Sequence, residues 1–192
     1  MAPAPGERLT SRARLLELLR TLSFARRKVV LASGRESDFF IDCKQAVLTA
    51  EGHALVGELL LDALARLPVP AVAVAGVELG GCPLASAVAM KSLEAGAPLD
   101  AIYVRKEAKS HGSKRLTEGG TRLARGSSVA LVEDVVTTGG STLAAAEKLR
   151  ETGFAVAGVI ALVDRLEGGR QAIEGAGLFF ESLFTRTDFM GG

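Results

Sequence analysis

Cysteine is scarce in this chain, and the two present, Cys43 and Cys82, lie far apart without CxxC or His/Cys metal spacing. A disulfide framework is therefore not expected, and each reads as a small packed residue in a reducing compartment. Long apolar runs are also missing. No stretch reaches the roughly 18 apolar residues of a membrane span. The Pro- and Ala-bearing start at residues 1–6 leads into a segment that alternates Arg with Leu rather than into a signal-peptide core. Excess charge of one sign is lacking too. A formal net charge of +1 exerts no global pull toward nucleic acid or a membrane, so any polyanion must be met by local clustering. These absences point to a cytoplasmic protein with neither kind of partner. What is present, 192 residues at 48% hydrophobic and 23% charged, suits one globular domain over 1–192 that buries roughly 70% of its unfolded surface. There is no internal repeat and no linker.

Two familiar phosphate motifs are absent as well. No Gly-Lys-Ser/Thr marks a Walker A loop, and no G-x-G-x-x-G marks a dinucleotide site. Residues 129–142 instead run Val-Ala-Leu-Val-Glu-Asp-Val-Val-Thr-Thr-Gly-Gly-Ser-Thr. Four apolar residues in a row predict a strand buried on both faces, with Glu133 and Asp134 at its C-terminal end. In an open α/β sheet that end faces the ligand crevice, and the next turn opens a helix whose first N–H groups are free. Residues 137–142 have the size and flexibility to wrap a phosphate with amides and hydroxyls, helped by the helix dipole. Glu133 and Asp134 would be repelled by that phosphate; they suit sugar hydroxyls, or a magnesium ion held through water. Together these features describe a pocket for a ribose 5-phosphate.

Around this stretch the chain alternates strand and helix. Thr10 or Ser11 caps a first helix with Leu15, Leu16, Leu18, Leu19 and Leu22 on its inner stripe. Apolar runs at 29–31 and 38–42 flank a polar loop, so a hairpin, part of a hood at about 28–48, precedes the main sheet. Helices are expected at about 49–67, from Pro83 to about 94, and at about 141–151, the last stopped by Gly153. Strands are expected at 71–75, 100–104, 156–163 and 178–182, with a Gly-rich segment before the last. The glycine-rich turn at 76–81 either approaches a pyrophosphate or only permits close packing. From about 105 to 125 there is a segment with few large apolar residues that carries Arg105, Lys106, Lys109, Lys114, Arg115, Arg122 and Arg125, with His111 among them. It cannot bury a face, so it reads as a mobile lid or loose hairpin. The predicted fold class is α/β, a mainly parallel sheet flanked by helices, with an N-terminal hood.

Residues 129–142 closely resemble the 5-phosphoribosyl 1-diphosphate (PRPP) motif of type I phosphoribosyltransferases. Three more stretches narrow the resemblance to the orotate phosphoribosyltransferases: Ser33-Gly34-Arg35-Glu36-Ser37-Asp38-Phe39-Phe40 in the hood, Arg105-Lys106-Glu107-Ala108-Lys109-Ser110-His111-Gly112 in the lid, and Asp164-Arg165 at a strand end. The resemblance implies transfer of a phosphoribosyl group from PRPP to N1 of orotate, with Mg²⁺ carried by PRPP rather than by a set of protein ligands, in a homodimer whose active sites are shared. It implies Lys109, His111 and Arg105 as catalytic residues. PRPP would be held by Arg105, Lys106, Lys109, His111, Glu133, Asp134, Val135, Val136, Thr137, Thr138, Gly139, Gly140 and Ser141, and orotate by Thr137, Arg165 and Phe40. Ala32 and Gly80 stand where several members carry lysine, and Glu133 replaces the commoner aspartate. Another base as acceptor, a PRPP-sensing regulator and a purely structural α/β module are the competing readings. The lid cations and the lack of a basic DNA-binding extension weigh against the last two.

Overall fold

The Thr10 hydroxyl accepts the Ala13 amide and starts helix α1 (Ser11–Leu18) where the sequence predicts it. The computed structural model describes residues 9–30, 36–107 and 116–190. Leu15 and Leu19 are fully buried, but α1 continues into a π-helical turn at Leu19–Ser23. Its wider winding carries the stripe past Leu22, which was expected inside and is 45% exposed.

Strands β1 (Phe24–Val30) and β2 (Glu36–Ile41) pair antiparallel as the expected hairpin, with a register shift between Arg26 and Val29. The loop with Ala32, Ser33, Gly34 and Arg35 lies outside the described residues. Phe39 anchors the hood: it is fully buried, and its ring centroid lies 5.2 Å from that of Phe24 and 5.8 Å from that of Phe189. A single helical turn, α2 (Lys44–Val47), leads to α3 (Ala50–Leu64), capped by Thr49.

The chain then lays down β3 (Ala73–Val77), α4 (Gly81–Glu94), β4 (Asp100–Val104), β5 (Thr117–Gly119), β6 (Ser128–Val136), α5 (Gly140–Glu151), β7 (Ala155–Asp164), α6 (Gly169–Gly175), β8 (Phe180–Thr185) and α7 (Arg186–Met190). The main sheet has the order β5-β4-β3-β6-β7-β8, parallel throughout except for β5. Side-chain alternation divides its core in two. Val74, Ala130, Val132, Ile160 and Leu162 pack with α1, α3, α4 and Phe39, while Ala73, Ala75, Val129, Leu131, Val159 and Ala161 pack with Ala145, Ala146, Leu149 and Ile173 of α5 and α6. A sheet covered on both faces explains why β6 reads as a nearly unbroken apolar run.

Several boundaries differ from the sequence reading. β3 begins at Ala73, where it meets Asp100 and Val129; Val72, placed in the strand from sequence, is 49% exposed. The Gly-rich segment after Arg165 is helix α6, and the final strand runs over Phe180–Thr185 rather than 178–182. The basic segment 105–125 is not one open loop. Thr117–Gly119 pairs with β4, Arg122 donates to Asp100 at 2.6 Å, and the Arg125 guanidinium lies against Gly153. Asp100 and Gly153 lie where the parallel strands begin, so Arg122 and Arg125 are at the end of the sheet opposite the acids.

Removing the Phe39 ring leaves a cavity between hood and sheet. Phe39→Ala should lower unfolding free energy by about 3–5 kcal/mol, read as an earlier urea midpoint; an unchanged midpoint would show that the hood is not anchored there.

Candidate active site

The registers Gly76↔Val132 and Val136↔Asp164 bring the ends of β3, β6 and β7 out along one edge, and the loops after them form the site. At the end of β6, Glu133 is buried with 6% exposure, and Asp134 is half-buried. The Thr142 hydroxyl of α5 donates to Glu133 at 3.4 Å. Burial pushes the Glu133 carboxyl well above the usual carboxylate range, and the neighbouring Asp134 charge and a hydrogen bond to it push the same way; Lys106 and Thr142 oppose them. The free site therefore disfavours the charged form of Glu133.

Asp134 settles the role of one glycine. A Cβ on Gly80 would lie 2.0 Å from Asp134 Oδ2, so the carboxylate occupies the space that a side chain there would need. A lysine at this position is thus excluded while Asp134 keeps this position. Gly76 and Gly81 face each other as tightly, since a Cβ on Gly76 would meet the Gly81 carbonyl oxygen at 2.0 Å. Close packing accounts for the 76–81 turn. From the hood, the Cys43 thiol donates to the Asp134 carbonyl at 3.8 Å, and Lys44 pairs with Asp42 at 2.5 Å.

Beyond Val136, the turn 137–139 reaches α5 through Gly139, whose φ of +83° is left-handed and suits glycine. Thr138, Gly140 and Ser141 are exposed, and no acid lies in the first turn of α5, so its leading amides are placed for an anion. Gly169 of α6 packs under this turn against Val136 and the Thr137 carbonyl.

Where β7 ends, the Arg165 amide donates to the Val136 carbonyl at 3.0 Å, which sets Arg165 beside Thr137. Its guanidinium is only 8% exposed, donates to the Phe39 carbonyl at 3.1 Å, pairs with Glu167 at 3.0 Å and stands 5.4 Å from the Phe39 ring. Phe40, the next hood residue, is half-buried. The structure thus gathers Thr137, Arg165 and the Phe39–Phe40 backbone at one place. Glu167 was not singled out from sequence; an acid two residues from an arginine gives no pattern that marks it.

Of the lid residues, Arg105 and Lys106 are described, while Lys109, His111, Lys114 and Arg115 lie outside the described residues. The Arg105 side chain pairs with Glu118 at 3.1 Å, and the Lys106 amide donates to Glu78 at 3.1 Å. Lys148 of α5 donates to the Arg105 and Lys106 carbonyls at 2.8 and 2.5 Å. In the sequence Lys148 is only a basic residue in a helix's last turn, as the helix dipole favours. Among the described residues, no three or more of His, Cys, Asp and Glu converge as a metal cage. Glu133 and Asp134 offer hard oxygen ligands, a pair that fits Mg²⁺ sharing its shell with water and a diphosphate.

The phosphoribosyl transferase domain profile matches residues 49–176. A protein of Sorangium cellulosum named orotate phosphoribosyltransferase is 65% identical over 181 residues, 94% of each chain. The chain belongs to the orotate phosphoribosyltransferase family. Among solved structures, the Mycobacterium tuberculosis orotate phosphoribosyltransferase in complex with Fe(III) dicitrate superposes with a TM-score of 0.80 at 39% identity, covering 94% of this chain and 99% of that one. The same mycobacterial enzyme in complex with PRPP superposes with a TM-score of 0.77 at 36% identity, covering 94% and 99%. β6 and its turn carry the stretch that resembles the PRPP motif, and the end of β7 carries Arg165.

The upward shift of the buried Glu133 carboxyl makes stability depend on pH with a definite sign. Above about pH 4.5, where an unfolded Glu loses its proton, the native chain still holds it, so stability falls as pH rises toward the raised native value. Glu133→Gln removes that loss. The melting temperature of the variant should climb relative to the parent as pH increases over this window, and a constant offset would refute a buried protonated Glu133.

Proposed function

We propose that this protein transfers the 5-phosphoribosyl group of PRPP to N1 of orotate, giving orotidine 5′-monophosphate and diphosphate in pyrimidine nucleotide synthesis. The observation that carries this reading is the meeting, at one strand-end edge, of an acid-free helix start, the Glu133–Asp134 pair and a nearly buried arginine beside Thr137. The 65% identity to the Sorangium protein of that name supports it.

The turn at Thr137, Thr138, Gly139, Gly140 and Ser141, approached through Val135 and Val136, takes the 5′-phosphate on amides and hydroxyls. Glu133 and Asp134 receive the ribose hydroxyls. Arg165 offers paired donors to the orotate carboxylate, and its contact with the Phe39 carbonyl and Glu167 holds the fork in place. Phe40 flanks the flat base. As the C1′–oxygen bond breaks, its electron pair leaves with the diphosphate, and the ribose centre passes through an oxocarbenium-like state before N1 bonds to C1′ and gives up its proton. The developing charge is therefore on the leaving group, where Arg105, Lys106, Lys109 and His111 act as cations in a site closed to water. Lys109 or His111 supplies a proton to the leaving oxygen. Glu133 and Asp134 would help to hold Mg²⁺ through water beside PRPP, and the ion would supply charge compensation for the diphosphate.

The reading extends to a homodimer in which the lid of one subunit serves its partner's pocket. Leu79, Met90 and Leu93, all more than 60% exposed around α4, support an apolar contact of this kind. The cytoplasmic assignment is supported by two free, buried cysteines. No described helix is long and apolar enough to cross a membrane.

Incubating the protein with PRPP, Mg²⁺ and each of orotate, uracil, hypoxanthine and adenine tests the acceptor. Diphosphate should appear with orotate alone, and release with another base instead would overturn the reading. Arg165→Ala should raise the orotate KM by about tenfold or more while changing the PRPP KM little; equal rises would remove Arg165 from the base site. Lys109→Ala should lower kcat by about 100-fold or more with the fold intact, and near-normal turnover would deny Lys109 its role.

A further inference from the structure

The chain leaves β4 at a node made by four elements. The Arg105 amide donates to the Leu116 carbonyl at 2.9 Å, closing the ladder with the strand that returns as β5. One residue later the Lys106 amide turns to Glu78, in the β3–α4 turn, at 3.1 Å; the Glu78 amide in turn donates to the Val104 carbonyl at 2.9 Å. The Lys148 ammonium then takes the carbonyls of both Arg105 and Lys106. In an extended strand successive carbonyls point to opposite sides, so two consecutive carbonyls aimed at one ammonium require the backbone to bend here. The bend is where Arg105 and Lys106 are presented: Arg105 to Glu118, and Lys106 close enough to Glu133 for its charge to be felt there.

We infer that Lys148 is a positioning residue, which sets the backbone of Arg105 and Lys106 so that their cations face the diphosphate half of PRPP. The reason lies in the element that carries it. Lys148 stands eight residues after Gly140 on α5, about 12 Å along a rigid helix, and the N-terminus of that helix is the phosphate turn. One helix therefore holds the anchoring phosphate at its start and the peptide groups of two diphosphate-binding residues near its end. The distance between the two halves of the PRPP site is set by helix geometry rather than by loop conformation. An ammonium with three donors suits two carbonyls from one point, and a neutral side chain would leave both carbonyls to water. Lys148 touches no substrate in this scheme; it acts through Arg105 and Lys106, and the inference rests on their reading as diphosphate-binding residues.

The test compares Lys148→Met and Lys148→Arg with the parent, first without substrate. Hydrogen exchange over residues 100–107 should be roughly tenfold faster in Lys148→Met, with the melting temperature within about 2 °C of the parent. In the orotate-dependent diphosphate release assay, Lys148→Met should raise the PRPP KM about tenfold and lower kcat, while the orotate KM stays within about twofold. Lys148→Arg, whose fork can still serve two carbonyls, should recover both properties to within about threefold of the parent. Unchanged exchange in Lys148→Met would overturn the inference, as would faster exchange with parental PRPP kinetics. A loss of activity that follows a lowered melting temperature and is not recovered by arginine would overturn it too, by reducing Lys148 to a stability contact. A parent that releases no diphosphate with orotate would sink the acceptor assignment but not this inference, because PRPP affinity by calorimetry then decides: about tenfold weaker binding in Lys148→Met upholds it, and equal affinity overturns it.

Discussion

Parallel pairing of β6 with β3 and β7 is the constraint on which the site depends. Parallel strands run the same way, so their C-terminal ends and the loops that follow open on one edge. The registers bring Gly76 level with Val132 and Val136 level with Asp164. The glycine turn after β3, the acids and Thr/Gly turn of β6, and Arg165 after β7 therefore meet without any long-range device to gather them. The hood adds the Phe39 carbonyl and the Cys43 thiol from outside the sheet, held in place by the aromatic contacts of Phe24, Phe39 and Phe189.

The electrostatics follow from that crowding. Two carboxyls at a strand end, one almost wholly buried, cannot both stay charged at low cost, and burial with the Asp134 charge pushes the Glu133 carboxyl upward. Lys106 approaches Glu133, and Arg165 is neutralised by Glu167. Arg105 and Arg165 are each held by a partner of opposite sign, Glu118 and Glu167. These contacts fix the orientation of both guanidinium groups in place of free side chains.

Much of this was legible in the sequence because it is encoded locally. Four apolar residues followed by Glu133, Asp134 and a Thr/Gly turn carry strand, edge and helix start in fourteen consecutive positions, and Thr10 and Thr49 mark helix starts by their own hydroxyls. The reading failed where a neighbour distant in sequence decides. Thr117–Gly119 is a strand because β4 offers it an open edge, and three residues cannot announce that. Arg122 and Arg125 resemble the other cations of their segment in composition, yet that strand carries the chain to the far end of the sheet. Leu22 lies on a good stripe until a π turn rotates it outward.

The sequence by itself determined the fold class and the alternation of the main strands and helices, since both rest on side-chain periodicity. Only the tertiary structure decided that Asp134 fills the space beside Gly80, that Glu167 and the Phe39 carbonyl hold Arg165, and that Lys148 grips the Arg105–Lys106 backbone. Each of these joins residues between two and more than a hundred positions apart through a single contact. Such contacts depend on how layers stack and which strand ends lie level, and a linear pattern holds no record of that.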